Sequence, residues 1–381
     1  MPKVGGVETI MDALARGFVA WPGTHPGEDI EVTLVTQTPA ANMDDSRLPF
    51  LVVRKPGVRR LAELIHSADL VHLAGPAFLP LVLARLFDKP TVLEHHNYQS
   101  ICPNGLLLFQ PDLSVCPGHF MAGRYGKCLR CNSASHGWLK SALSLALAFP
   151  RRWLASMVTA NVTPSLHMAS RAALPRTQVI YHGVPLVISE ATRNETGNRP
   201  CFGFVGRLVH EKGVALLIQA AAALAATGHE FRVKIVGDGP ERQNLEGLAA
   251  MLNLQEKTEF LGSLPPAEIA NVLDDACAVV MPSMWEDVAP LVAIEQMIQG
   301  RLLIVSDVGG LGETVNGFGL RFPMADVGAL TQRMQWVIEN PKAAREMALA
   351  AQANARSAFA QGRMIGEHVL LYDHLLGHGT R

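Results

Sequence analysis

Twice along this chain of 381 residues, short apolar runs of strand length alternate with segments whose apolar side chains recur at helical spacing, and one polar stretch separates the two series. Strand-like runs lie at residues 31–35, 50–53, 69–73, 90–94, 158–163 and 178–181, then at 201–205, 232–236, 258–261, 278–281 and 302–306. Helix patterns at residues 214–226, 241–251 and 267–274 fill gaps in the second series. Consecutive parallel strands need a crossover long enough to hold a helix, so the alternation predicts α/β domains with parallel sheets. Residues 189–199, SEATRNETGNR, carry no apolar side chain larger than alanine and read as a linker. A single core rarely grows to this length. The pattern therefore predicts two doubly wound, Rossmann-like domains, residues 1–190 and 199–358, facing a cleft at the carboxyl ends of their strands, where such sheets bind ligands. One irregularity stands at the start. Gly5 and Gly6 turn straight into a helix pattern, and the strand that normally precedes such a turn is missing. Its loss would leave two neighbouring strands with open edges, so the natural start is expected upstream of Met1.

Thirty-three basic residues against thirty-four acidic ones leave no net field, which excludes nucleic-acid binding by bulk charge. No apolar run nears the roughly 20 residues of a membrane span, and no basic segment followed by an apolar one opens the chain, so a cytoplasmic location is expected. There, six cysteines are expected as thiols or metal ligands. Four of them, Cys102, Cys116, Cys128 and Cys131, sit in an insertion at residues 96–132. Cys128-x-x-Cys131 has the spacing of a zinc knuckle, and the other two are scattered. Two readings stand: a structural zinc ion held by four thiolates, tying down a long loop without secondary structure, or two buried thiols and two incidental ones. Residues 137–157 mix Trp138, Lys140, Arg151, Arg152 and Trp153 with alanine and leucine. Packing on the sheet accounts for the apolar stripe; contact with an anionic bilayer is the second reading.

Residues 283–300, SMWEDVAPLVAIEQMIQG, put acids on either side of a helix start: Pro290 suits a first turn, Leu291, Ile294 and Ile298 recur at helical spacing, and Gly300 can close the helix. Asp287 then precedes the helix and Glu295 lies within it, either in water at the edge of the apolar face or kept for a ligand. Three further loops fall at strand ends. FVGRLVHEKG places Gly206 after a strand, with Arg207 and Lys212 as two fixed cations suited to a diphosphate. VGDGP, residues 236–240, is a turn that lets backbone approach a ligand at Gly237. SDVGGLGETV, residues 306–315, is a second glycine turn.

Together these loops resemble the retaining glycosyltransferases of the GT-B fold, in particular glycosyltransferase family 4. The carrying motifs are G-R-L-x-x-x-K-G at residues 206–213, V-G-D-G-P at residues 236–240, an acidic pair with seven residues between, and G-G-x-x-E at residues 309–313. The resemblance runs from Val4 to about His378. It includes Gly5-Gly6-Val7-Glu8, the His-Asn-Tyr at residues 96–98 and the cysteine-bearing loop of a subset of these enzymes. It implies that residues 359–378 form a helix crossing back to the N-terminal domain, and that a sugar moves from a UDP- or GDP-sugar to a glycan or lipid-linked acceptor. Such enzymes commonly build surface polysaccharide, at the inner face of the membrane. By the same resemblance Arg207 and Lys212 hold the diphosphate, Glu295 the ribose hydroxyls, and Asp287 faces the donor sugar. Gly237, Leu261 and Gly262 flank the base, Leu291 and Gly310 belong to the donor loops, and Gly5 and Gly6 let backbone approach phosphate and acceptor. His96 would contact the donor sugar or the reacting centre. Fixed cations and a helix N-terminus can replace a metal ion at the leaving diphosphate, so no catalytic cofactor is implied.

Three departures from the family pattern remain: Asp287 where glutamate is usual, His182 in place of a frequent asparagine, and the absent first strand. A sugar-nucleotide epimerase of the same fold and a non-catalytic binding homologue are the rival functions.

Overall fold

The computed structural model describes residues 5–24, 30–39, 44–185 and 199–377. It divides into two compact units, the first being Met1–Leu106, Gly118–Pro185 and Phe359–Arg381, the second Leu107–Pro117 and Leu186–Ala358. All but the last residue of the polar linker lie outside the described residues.

In the first unit β1 (Thr33–Thr36) pairs in parallel with β2 (Leu51–Arg54). A second parallel sheet takes β3 (Val71–Leu73) and β4 (Thr91–Glu94). A short antiparallel hairpin, β5 (Leu108–Phe109) with β6 (Ser114–Val115), interrupts the series and groups with the second unit. β7 (Ala160–Thr163) and β8 (Thr177–Val179) complete the sheet in the order β3-β4-β7-β8. Among the described residues no ladder joins β1 to β3. The order β2-β1 followed by β3-β4-β7-β8 is that of a doubly wound sheet with one central position unfilled by any described strand.

Both β4 and β7 are buried along their whole length, as befits parallel strands covered on two faces. Polar residues in them must therefore find partners. Asn161 Nδ2 donates to the carbonyls of Ala155 and Pro175, and its Oδ1 accepts from His95 Nε2 at 2.9 Å. That bond fixes the His95 proton on Nε2, leaving Nδ1 to accept from Ser100 Oγ. The helix Gln361–Leu376 returns to the first unit, where Ala360 at its N-cap bridges to Val184 and the Tyr372 ring meets Phe18 of the helix Gly6–Thr24 at a tilt, centroids 5.2 Å apart. Gly183 makes that approach possible, because a Cβ there would stand 2.6 Å from the Ala360 carbonyl oxygen.

The cysteine insertion is not the structureless loop the sequence suggests. It holds the β5–β6 hairpin and the helix Tyr125–His136, which carries Cys128 and Cys131 one turn apart. The following helix, Trp138–Met157, buries Leu145, Ala148 and Leu154, while Trp138, Leu139, Leu143 and Trp153 stand exposed. The expectation that packing accounts for its apolar residues thus holds for one face only.

The second unit carries β9 (Cys201–Val205), β10 (Arg232–Val236), β11 (Thr258–Gly262), β12 (Ala276–Met281), β13 (Leu302–Ser306) and β14 (Leu320–Phe322), all parallel, in the order β11-β10-β9-β12-β13-β14. This is the 3-2-1-4-5-6 order of a dinucleotide-type fold, with its switch point between β9 and β12. Phe202, Phe204, Ile235, Val280 and Ile304 meet Leu217, Ala221 and Leu224 of the helix Val214–Ala226 in the core. Each large side chain buried there contributes about 1.5–3 kcal/mol. Arg301, itself buried, ties the sheet's edge together by donating to the carbonyls of Leu273 and Ala270 and to Gln296 Oε1. Apart from this sheet, a cavity of about 400 Å³ in the first unit opens at the beginnings of β4, β7 and β8, lined by Leu81, Arg85, Thr91, Val158 and Arg176. It lies at the wrong end of the strands for a ligand site of this fold.

Gly183→Ala should lower stability by about 1–3 kcal/mol, since backbone must move to admit the methyl. Gly247→Ala, on an open helix face with nothing within 4 Å, should raise it by about 0.5–1 kcal/mol. Urea unfolding of the two variants measures both signs; an unchanged Gly183→Ala would contradict the close approach.

Candidate functional site

At the carboxyl ends of the second unit's strands, backbone lies directly on backbone, and glycine is what permits it. Gly213, at φ +67°, leaves no room for a Cβ beside the Pro282 carbonyl. Gly237, at φ +140°, is closed in the same way by Gly206, and Gly239 by Leu208. Hydrogen bonds then lace the loops together: Gly206 N–H to Val236 O at 3.0 Å, Leu208 N–H to Asp238 O at 2.9 Å, Gly237 N–H to Gly262 O at 2.8 Å, and Met284 N–H to Glu211 O at 2.9 Å. The loops bearing Arg207 and Lys212, Gly237, Leu261 and Gly262, and Asp287 are thereby one assembly, fixed before any side chain is considered.

Within it, Lys212 Nζ donates to Asp287 Oδ2 at 2.6 Å, in a pair only partly open to water. The same ammonium lies 5.7 Å from the Trp285 ring centroid. An ammonium has three donors, so two remain beyond the Asp287 contact. Arg207 is different: its side chain is 74% exposed, with Glu211 4.0 Å away. The two expected cations thus sit on one loop, one anchored and one exposed.

The helix read over residues 283–300 is observed as Leu291–Ile298, with Pro290 at its N-cap and Gly300 in the left-handed region at φ +72°. Ala293, Ile294, Met297 and Ile298 fill the core, and Glu295 is the acidic residue that this register leaves on the open side. Its tip meets solvent, but burial of the surroundings pushes its pKa above the ordinary 4.5, with no cation offsetting the cost. Gly310 does not offer a free N–H, because it donates to Asp287 O at 2.7 Å. Gly309, at φ +60°, and Gly310 let their turn press on the backbone of residues 286–288, holding Asp287 from behind. Glu286 and Asp287 are both buried.

The remaining expected site residues belong to the first unit. Gly5 accepts from Thr9 at the start of the helix Gly6–Thr24, and Gly6 is the helix's first residue. His96, expected to contact the donor sugar or the reacting centre, has a side chain 3% exposed, with Nε2 3.7 Å from Glu94 Oε1. Burial depresses its pKa to about 4 and keeps it neutral. Glu94 is also fully buried; burial raises its pKa, but the histidines around it outweigh that and hold it well below the carboxylate range. This Glu94 cluster, with His72, His182 and His368, was not read from the sequence, although the Glu-His-His run closing β4 and the unusual His182 were its visible signals.

The four cysteines of the insertion are all buried. Cys102 Sγ donates to Asn104 Oδ1 at 2.9 Å, and Asn104 Nδ2 donates to Cys131 Sγ at 3.4 Å, so one amide joins two of them. Burial pushes the thiols of Cys201 and Cys277 up to about 12, which keeps them protonated.

Residues 187–354 match the model of the family "Glycosyl transferases group 1". Over 144 residues the chain is 36% identical to a 2-deoxystreptamine glucosyltransferase of Streptomyces kanamyceticus, a match spanning 37% of each protein. Over 369 residues it is 28% identical to a glycogen synthase of Mycobacterium tuberculosis, covering 89% of this chain and 80% of that one. Among solved structures, the HepE protein of Anabaena in complex with UDP superposes with a TM-score of 0.72 at 17% identity, over 98% of both chains. The fold is therefore that of the GT-B glycosyltransferase structures, with two Rossmann-like units, and the relatives support a glycosyltransferase.

Glu295 gives this site a signature in stability. A carboxyl whose folded pKa exceeds its unfolded value costs stability as pH rises above about 4.5, and the cost persists at neutral pH. Glu295→Gln should therefore be more stable than the parent at pH 7, with the gap closing below pH 4.5. Urea midpoints across that range measure it; a variant less stable at pH 7 would mean that the carboxylate has a partner.

Proposed function

We propose that the chain is a retaining glycosyltransferase that moves a hexosyl unit from a UDP- or GDP-sugar to a glycan or lipid-linked acceptor, in the building of surface polysaccharide. One observation carries the reading: a single backbone-laced assembly presents Arg207, Lys212, the N-terminus of the helix Leu291–Ile298 and the exposed edge carrying Glu295. Arg207 closes on the donor's diphosphate when it arrives, while Lys212 is already held in place by Asp287 and offers its two remaining donors. Glu295 accepts from the ribose hydroxyls, and that use accounts for keeping an unpaired carboxylate where burial penalises it. Gly237, Leu261 and Gly262 form the wall for the base, and Leu291 opens the helix whose free N–H groups favour an anion.

The chemistry follows from charge. Cleaving the bond between sugar and diphosphate places negative charge on the leaving oxygen and positive charge on the ring, so donors fixed beforehand at the phosphate stabilise the transition state more than the ground state. Two side-chain cations and a helix N-terminus supply that charge without a metal ion at the donor. In a retaining transfer the departing phosphate takes the acceptor's proton on the face it leaves, which fits a site whose acids are already committed to Lys212 and to ribose. The UDP bound by the Anabaena HepE structure supports a uridine donor.

Membrane contact is part of the same proposal. On the helix Trp138–Met157, Leu139 is 82% and Trp138 66% exposed, with Leu143, Trp153 and Met157 continuing the stripe and Lys140 and Arg151 beside it. Apolar and aromatic side chains flanked by cations suit a face resting on anionic lipid, where a lipid-linked acceptor would be found. No helix among the described residues is long and apolar enough to cross a membrane.

Arg207→Ala and Lys212→Ala should each lower turnover by about 10²-fold or more, by analogy with loss of one oxyanion donor. Release of nucleoside diphosphate from a panel of sugar nucleotides, with product analysis for a glycoside, measures it; unchanged turnover in both variants refutes the assignment, and an altered sugar nucleotide as sole product points to an epimerase. Separately, the protein should co-sediment with anionic liposomes in a salt-sensitive way, and the double variant Leu139→Asp, Leu143→Asp should bind severalfold more weakly. Absence of binding removes the membrane proposal and leaves the transferase reading intact.

A further inference from the structure

Glu94 lies at the carboxyl end of β4 with no solvent exposure, and among the described residues every group that faces its carboxylate is an imidazole. Its two oxygens are served unequally. Oε2 has His72 Nε2 at hydrogen-bond distance, 3.0 Å, and His72 is held on its other nitrogen by Tyr372. Oε1 has no hydrogen-bond partner; it faces His182 Nε2 at 3.4 Å and His96 Nε2 at 3.7 Å, and neither ring has a partner on either nitrogen. Three buried ligand atoms thus converge within 4.8 Å of one another with their bonding unfulfilled. Buried polar atoms are seldom left so, least of all five in one place.

The proton inventory sharpens the point. His368 Nδ1 lies 2.8 Å from the Met364 carbonyl oxygen, which only accepts, so the proton is on Nδ1. His368 Nε2 stands 3.7 Å from Glu94 Oε2. Among the described residues no lysine or arginine lies against this carboxylate, and its Oε1 accepts no hydrogen bond, an arrangement that suits a cation.

We propose that Glu94, His96 and His182 form a binding site for a borderline divalent transition metal of the zinc class. Two imidazoles and one carboxylate are a common donor set for such ions, and ligand atoms around a tetrahedral centre with bonds of about 2.0–2.1 Å stand about 3.3 Å apart, close to the 3.4 and 3.7 Å seen here. His72 acts behind the site, fixing the carboxylate through Oε2, as outer-shell partners of metal ligands do. The ligands come from the end of β4 and from the segment after β8, so the ion would pin two strand ends of the first unit. None of its ligands is a cysteine, all three belong to the first unit, and its role is to hold structure.

The test uses the full chain, stripped with chelator and titrated with cobalt(II). Two ligand classes separate by spectrum: thiolates give near-ultraviolet charge transfer, whereas nitrogen and oxygen donors give visible ligand-field bands alone. The proposal expects a sulfur-free class that weakens at least about tenfold in His182→Gln and in Glu94→Gln. A chain with no sulfur-free cobalt, or one that both variants leave unchanged, overturns it. Should the variants fail to fold by circular dichroism, X-ray absorption of zinc in the parent decides instead. A nitrogen and oxygen shell supports the site; a shell of sulfur only, or no bound zinc, overturns it.

Discussion

The second unit depends on backbone packed against backbone at the ends of its strands. Gly213 against Pro282, Gly237 against Gly206, and Gly309 and Gly310 against residues 286–288 leave no space for side chains, so each loop's position is set by the next. The Lys212–Asp287 pair completes this framework. Half-buried ion pairs add little net stability, because desolvation offsets attraction. What this one contributes is position: it holds an ammonium on a loop that glycine has already fixed, while Arg207 on the same loop is left in water. The loop thus carries one cation held by a carboxylate and one open to solvent.

Such a site is built at some cost to the fold. Glu295 is kept where burial works against its charge, and Glu94 is kept in the core of the other unit with one oxygen unbonded. Elsewhere the chain satisfies its buried polar groups with care: Asn161, His95 and Ser100 form a closed set of bonds, and Arg301 spends its guanidinium on two carbonyls and an amide. Against that background Glu94 Oε1, buried and without a hydrogen bond, stands out.

β9 and β13 were readable because they are buried along their whole length and appear as unbroken apolar runs, and β10 because Val233, Ile235 and Val236 still make an apolar run around Lys234. β14 escaped notice because it has three residues, one of them the exposed Arg321. The β5–β6 hairpin has strands of two residues, too short for any period to register. The donor loops were legible because glycine at positive φ and cations at strand ends leave a local trace. The Glu94 cluster was not, since His72, Glu94, His182 and His368 come together only through the sheet and the returning helix Gln361–Leu376. For the same reason His96 could be placed at a strand end from the sequence, but not turned inward.

The central claim is that the strand-end loops of the second unit are built around a diphosphate. Calorimetric titration of the purified protein with UDP, GDP and the two nucleosides tests it most directly. If Arg207, Lys212 and the helix N-terminus grip the phosphates, the better diphosphate should bind at least about tenfold more tightly than its nucleoside, since each charge-assisted bond contributes about 1.5–3 kcal/mol. Equal affinity for nucleoside and diphosphate would contradict the account.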